Sequence, residues 1–359
     1  MPREEFHDKP YDEGTLTKLA IFELYVQEWI PVFLSQPNPP FEELHIFDFF
    51  AGPGRDKNRV SGSPIRILDQ LQTYHQHGLA GWNKVKKRVH FFDVKSRKTA
   101  TLQDIVASEN LTVPDVSTDI QALEFTKALS QFEDILRNRR AAKLLIIDQC
   151  GVDAVSDDVF GRLVSFPTTD FIFFLSSSTL HRFRDHPSIK QKIANPDDSY
   201  HVHRAAFDYY KGLIPQGHEV FLGQFSIRKR SNIYGLIFGS QHPLGIHKFL
   251  QVTWKNDKIA GEANFDVDRE NIGNQELLLG LDEMKPKKVQ NFEEALNNGF
   301  RTQQFQTEQD IIRFCIEAGM TAQHAEPVIS MMKKQKVFSA KFRVPNVRNV
   351  KGPRPITYL

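Results

Sequence analysis

The chain has 359 residues, 40% hydrophobic and 25% charged, with a formal net charge of +2. That supplies length for two or three domains and apolar material for a large core, which excludes global disorder. Its two cysteines, Cys150 and Cys315, exclude a disulfide framework and a cysteine-rich metal centre. They point to a reducing compartment. The first residues are polar and acidic with no apolar h-region, and no run of about 18 apolar residues occurs anywhere. The expectation is a cytoplasmic protein.

In chain order, Asp12 to Ser35 carries Leu19, Phe22, Tyr25, Trp29, Ile30 and Phe33 on one helical stripe. Asp12 or Thr15 would cap this helix, and Gln36-Pro37-Asn38-Pro39-Pro40 ends it. His45-Ile46-Phe47-Asp48-Phe49-Phe50 follows as a buried strand that stops at Ala51-Gly52-Pro53-Gly54-Arg55, a turn in which glycine lets the backbone approach a ligand. A polar loop, Arg55 to Gly62, leads to a helix with Ser63 as N-cap and Pro64 at its first position. Val89 to Asp93 reads as a second buried strand ending in an acid. Leu111 to Val116 reads as a weaker third, with Asp119 just beyond it.

Phe125 to Arg140 is expected to be helical, Leu144 to Asp148 a strong buried strand, Asp157 to Leu163 a short helix, and Phe171 to Leu175 the fifth strand. Beyond it stand His181, Arg182 and Arg184. His203 to Leu213 reads as a helix, and Glu219 to Arg228 with Asn232 to Phe238 as an antiparallel hairpin. Parallel strands alternating with helices and finished by a hairpin predict an α/β, Rossmann-like sheet of the methyltransferase kind.

After Gly245 the character changes. Glu262 to Lys288 is polar without a period, and helices are expected over Phe292 to Asn298, Thr307 to Glu317 and Thr321 to Lys334, then short extended pieces. Lys333, Lys334, Lys336, Lys341, Arg343, Arg348, Lys351 and Arg354 make this tail basic. The expected organisation is an N-terminal helical segment (1–40), a Rossmann-like methyltransferase domain (41–250), a polar linker or partner-facing segment (251–290) and a winged-helix-like basic C-terminal domain (291–359). The last is suited to nucleic-acid phosphates.

The strand-terminal acids fall where a doubly wound fold binds ligands. Asp48 would orient the turn Phe50-Ala51-Gly52, and Gly52 and Gly54 would let it lie against a cofactor. Asp93 would accept ribose hydroxyls, and Asp119 would meet an adenine amino group. The turn lacks the Gly-Lys-Ser/Thr of a phosphate loop. Lys57 stands where a dinucleotide fold needs its third glycine. A nucleoside site without a phosphate device favours S-adenosylmethionine over NAD or ATP. Asp148, ending the fourth strand, is the candidate catalytic group. Arg55, Gln149, His181, Arg182 and Arg184 are candidate substrate contacts. Cys150 reads as a small buried thiol, and His45 and His90 as satisfied interior histidines. No metal site is expected.

FDFFAGPGR followed by Ser61-Gly62-Ser63-Pro64 resembles the signature of the three-Cys-motif partner proteins. Asp148-Gln149-Cys150-Gly151, Trp254 and Gly261-Glu262-Ala263-Asn264-Phe265 are also similar to that family. The resemblance covers roughly Leu19 to Phe265. It implies a class I methyltransferase-like protein working beside a three-cysteine, radical-enzyme-like partner. Related sequences tend to have Asp-Pro where this chain has Asp148-Gln149. Neither form reproduces the Asn/Asp-Pro-Pro-Tyr/Phe site of amino-methylating DNA enzymes. Three readings follow: a methyltransferase acting on nucleic acid or with such a partner, a non-catalytic binding partner that keeps the fold, and a non-methyl transferase using the same nucleoside site.

Overall fold

Continuous apolar strands demand cover on both faces, and the first unit of the chain is built around them. The computed structural model describes residues 9–148, 155–175, 199–229, 232–265 and 285–359. Contacts divide the chain into two compact units, Met1–Gln241 and His242–Leu359; the sequence alone had set the change of character near residue 250.

Unit one holds a seven-stranded sheet: β1 (Glu43–Asp48), β2 (Lys86–Asp93), β3 (Val116–Ala122), β4 (Ala141–Ile147), β5 (Thr169–Leu175), β6 (Phe221–Lys229) and β7 (Asn232–Ser240). Their order is β3-β2-β1-β4-β5-β7-β6. The first five are parallel, and β7 runs antiparallel to both β5 and β6. This is the Rossmann-like methyltransferase sheet with its terminal hairpin. Every residue of β4, the central strand, is buried.

Helix α1 (Glu13–Leu34) is capped by Asp12, whose carboxylate accepts from Thr15 N at 3.0 Å. Its stripe of Ile21, Phe22, Tyr25, Val26, Trp29 and Ile30 is buried. Tyr25 Oη and Trp29 Nε1 donate to Asp170 of β5 at 2.7 and 3.0 Å. The remaining helices of unit one are α2 (Ser63–Gln76), α3 (Ser96–Ser108), α4 (Phe125–Gln131), α5 (Glu133–Arg137), α6 (Asp157–Ser165) and α7 (Ser199–Gly212).

Three expectations change. The third strand is Val116–Ala122, not Leu111 to Val116: Pro114 has no N–H for a ladder and Asp115 turns the chain at φ 62°. The helix over Phe125 to Arg140 is two short helices broken at Phe132. Ser63 does not cap α2; Gly62 is the N-cap residue, and the Ser63 hydroxyl serves Asp48 instead.

Unit two comprises α8 (Pro243–Asn256), α9 (Lys287–Arg301), α10 (Glu308–Glu317), a 3-10 turn (Ala322–Ala325), α11 (Glu326–Lys334) and a short antiparallel pair, β8 (Phe338–Ser339) with β9 (Thr357–Tyr358). Its own core gathers Leu296, Phe300, Ile311, Met320, Ile329 and Met332. Cys315 lies within it, and burial pushes its thiol up to about 12, so it is inert packing. Glu308, fully buried, receives Arg354 Nη2 at 2.6 Å, Asn346 N at 2.9 Å and Asn349 Nδ2 at 2.8 Å, which fastens the tail to α10. The Gly261 segment folds over Trp254: a Cβ at Gly261 would fall 2.5 Å from the indole, and Trp254 Nε1 donates to Gly319 O at 2.9 Å. Among the described residues no helix is long and apolar enough to cross a membrane.

Candidate functional site

Strand order reverses between β1 and β4, so the crevice of a doubly wound sheet opens at their carboxyl ends. Asp48 is level with Phe91 of β2 and Ile146 of β4. Asp93 and Asp148 therefore stand two positions further toward the same edge. The turn after β1 is tied to both neighbours, with Phe49 N donating to Ile146 O at 3.0 Å and Ala51 N to Phe92 O at 2.8 Å. Gly52 and Gly54 lie at φ 65° and 86°, a region that L side chains rarely adopt. A Cβ on Gly54 would also fall 2.7 Å from Leu102 Cδ1 of α3. Phe50 is half-buried against Phe125, with ring centroids 5.7 Å apart, and Ala51 is buried.

Asp48 is the hub of the turn. Its Oδ1 accepts from Phe50 N at 3.1 Å and its Oδ2 from Ser63 Oγ at 2.5 Å, so one carboxylate sets both the turn and the start of α2. Burial pushes its pKa up to about 7, against the two hydrogen bonds and with the help of Asp148 and Asp93. Asp93 sits at the entrance to α3, where its Oδ1 accepts from Lys95 N at 2.9 Å and its Oδ2 lies 3.5 Å from Lys98 Nζ. The loop 55–61 closes on itself: Arg55 pairs with Ser61, and Asp56 accepts from Asn58 N and Val60 N at 2.9 and 2.8 Å.

Asp148 accepts from Lys18 Nζ at 2.6 Å. The lysine comes from α1 and also lies 4.5 Å above the centroid of Phe174 at the end of β5. The sequence reading missed this partner. The available signal was position: Lys18 falls on the buried stripe of α1, between Thr15 and Phe22, where a charged residue needs a partner.

Of the sequence candidates, the fold brings Asp48, Phe50, Ala51, Gly52, Gly54, Asp93 and Asp148 to one edge. Asp119 is not there. It lies inside β3, level with His90, whereas Asp93 is level with Ala122, so Asp119 falls about 10 Å behind the edge. Its carboxylate is engaged by His90 Nδ1 at 3.3 Å and Gln121 Nε2 at 2.7 Å. His90 Nε2 in turn meets His45 Nδ1 at 3.1 Å, and His45 Nε2 meets Glu43 at 3.0 Å, so both histidines are satisfied in the interior. Burial holds both imidazoles below their usual pKa.

Arg55 is likewise turned inward: its guanidinium holds Ser61 Oγ at 2.8 Å and Glu109 at 2.5 Å, clasping the loop to the end of α3. Gln149, Cys150, His181, Arg182 and Arg184 lie outside the described residues. Among the described residues no group of three or more His, Cys, Asp or Glu is placed to hold a metal ion.

The chain matches no protein-family model and no curated protein. It is similar in structure to an rRNA methylase from Streptococcus thermophilus, with 9% identity and TM-score 0.33 over 64% of this chain and 98% of that one. It is also similar to an O-methyltransferase from Bacillus cereus in complex with SAH, with 13% identity and TM-score 0.32 over 66% and 83% of the two chains. A third is a SAM-dependent methyltransferase from Agrobacterium tumefaciens, with 8% identity and TM-score 0.34 over 64% and 62%. At these scores the likeness carries no argument, and the fold rests on the strand order and the hairpin described above.

Proposed function

We propose that the carboxyl edge of β1, β2 and β4 binds S-adenosylmethionine and that the chain is a methyltransferase-like protein of the three-Cys-motif partner kind. The observation that carries the reading is the assembly at the switch point of a glycine turn, fixed by Asp48, with Asp93 at the end of the neighbouring strand and a turn sequence that lacks the Gly-Lys-Ser/Thr of a phosphate loop. The residues suit the ligand. The Gly52–Gly54 turn leaves backbone rather than side chain against it, and Asp93 at the end of β2 presents a carboxylate for vicinal hydroxyls. When bound, S-adenosylmethionine supplies an activated methyl group. Asp48 would hold the turn beneath it, and Asp148 would stand at the reacting end.

The acceptor class we propose is nucleic acid, or the substrate of a three-cysteine radical-type partner. The basis is the basic tail and the winged-helix-like succession of α9, α10 and α11 followed by the β8–β9 pair. One observation favours a second, non-catalytic reading: the carboxylate of Asp148 is already held by Lys18 and is not a free proton acceptor.

Calorimetry with S-adenosylmethionine tests the proposal. The wild-type chain should bind it, and Asp93→Ala and Gly52→Val should each weaken binding at least about tenfold, the latter because valine is strained at positive φ. Tight ATP or NAD binding with no response to S-adenosylmethionine would sink the reading. If the cofactor binds but mass spectrometry finds no methylated nucleic acid, with the partner present, the non-catalytic form stands.

A further inference from the structure

Lys18 brings a charge from α1 to the reaction edge. Its Nζ lies 2.6 Å from Asp148 Oδ1 and 4.5 Å from the Phe174 centroid, and that ring stacks on Tyr234 at 5.3 Å. The two charged side chains are only 5% and 13% exposed, so bulk salt screens them poorly. Asp148 is near enough to Asp48 to raise its pKa, which places the pair within electrostatic reach of the turn. Methyl transfer would break the S–CH3 bond with its electron pair left on sulfur as a neutral thioether, join the methyl to a lone pair of the acceptor, and pass the positive charge to the acceptor, which releases it as a proton. A bare carboxylate at the reacting end would stabilise the cationic donor more than the charge-depleted transition state and so oppose the reaction.

Resting on the cofactor reading above, we infer that Lys18 is a positioning residue that sets the charge of this edge: it fixes Asp148 and neutralises it, so that the site does not over-stabilise the methyl donor. The pair is then an electrostatic device as well as a tether for α1.

The readout is the ratio of affinities for S-adenosylmethionine and S-adenosylhomocysteine, which differ in charge and by one methyl. It is measured by calorimetry at pH 8 on chains whose melting shows them folded. Lys18→Met leaves Asp148 uncompensated and should raise the ratio at least about fivefold. Asp148→Asn removes the negative charge of the pair and should lower it by a similar factor. The double variant should return to within about twofold of the wild type, and Lys18→Arg should match the wild type. A purely structural tether would weaken both ligands alike and leave the ratio fixed, which overturns the inference while the cofactor reading stands. If Lys18→Met does not fold, Asp148→Asn decides by the same ratio. Wild-type protein that binds neither ligand overturns both.

Discussion

Asp48 shows how one residue links sequence, turn and pH response. Its folded pKa, pushed up to about 7 by burial, stands above the ordinary 3.8. The folded state therefore holds a proton that the unfolded chain releases, and stability attributable to this group is lost as pH rises from about 4 through 7. The full difference is worth at most a few kcal/mol, since one pKa unit is about 1.4 kcal/mol. Asp48→Asn removes the titration and keeps an acceptor for Phe50 N, while the Ser63 hydroxyl turns to accept from the new amide. Urea unfolding at pH 5 and pH 8 should show the variant gaining about 2 kcal/mol on the wild type between the two. Groups remote from Asp48 contribute alike in both proteins and cancel; a difference independent of pH would refute the assignment. As a strand-terminal acid before a glycine turn, Asp48 was legible in the sequence. The pairing of Lys18 with Asp148 was not, because the two lie 130 residues apart and only the fold joins them.

Among the elements, α1 has the most specific anchorage. Its stripe packs on unit one, and Tyr25 and Trp29 converge on Asp170, whose carboxyl burial raises to about 6 against the hydrogen bonds from Ser240, Tyr25 and Trp29. Tyr25→Phe removes one donor from the half-buried carboxylate of Asp170. A hydrogen bond to a charged group is worth about 1.5–3 kcal/mol, so the variant should lose about that much by urea unfolding at pH 8, where Asp170 is ionised. At pH 5 the carboxyl is largely protonated and the loss should shrink; an equal loss at both values would mean the hydroxyl matters through packing alone.

Elements were legible in proportion to how much of them the core claims. β1, β2, β4 and β5 are Phe-, Leu- and Ile-rich and were found, the first three with the acids that end them. α3 buries only Thr99 and Leu102, so it left no apolar period to read. β3 at the sheet edge has a single fully buried position, and its misplacement carried Asp119 from the interior of a strand to an imagined rim.

For the whole molecule, sequence composition understates how the charge is used. The net charge is only +2, yet the tail of unit two is dense in lysine and arginine, and the structure sorts them. Lys333 Nζ donates to Ala340 O and Phe342 O at 2.7 and 2.9 Å, Arg343 pairs with Glu326 at 2.5 Å, and Arg354 is locked to Glu308. Lys333 and Arg354 fasten the unit, whereas the pair made by the largely exposed Arg343 adds little. Lys334, Lys336, Lys341, Arg348 and Lys351 are exposed and make no ion pair among the described residues. If unit two meets nucleic-acid phosphates, these five carry the electrostatic contact, and each phosphate neutralised contributes about 0.9 to the slope of log affinity against log salt on duplex DNA. Changing all five to Gln should leave melting of the protein unchanged, weaken duplex binding at low salt, and flatten the salt slope by up to about 4.5. Changing Arg354 to Gln should instead lower the melting temperature, because Glu308 would keep its burial and lose its cation. A five-fold variant that binds with the wild-type slope would leave these side chains as solvated surface and move the search for the acceptor back to the edge that Lys18 and Asp148 share.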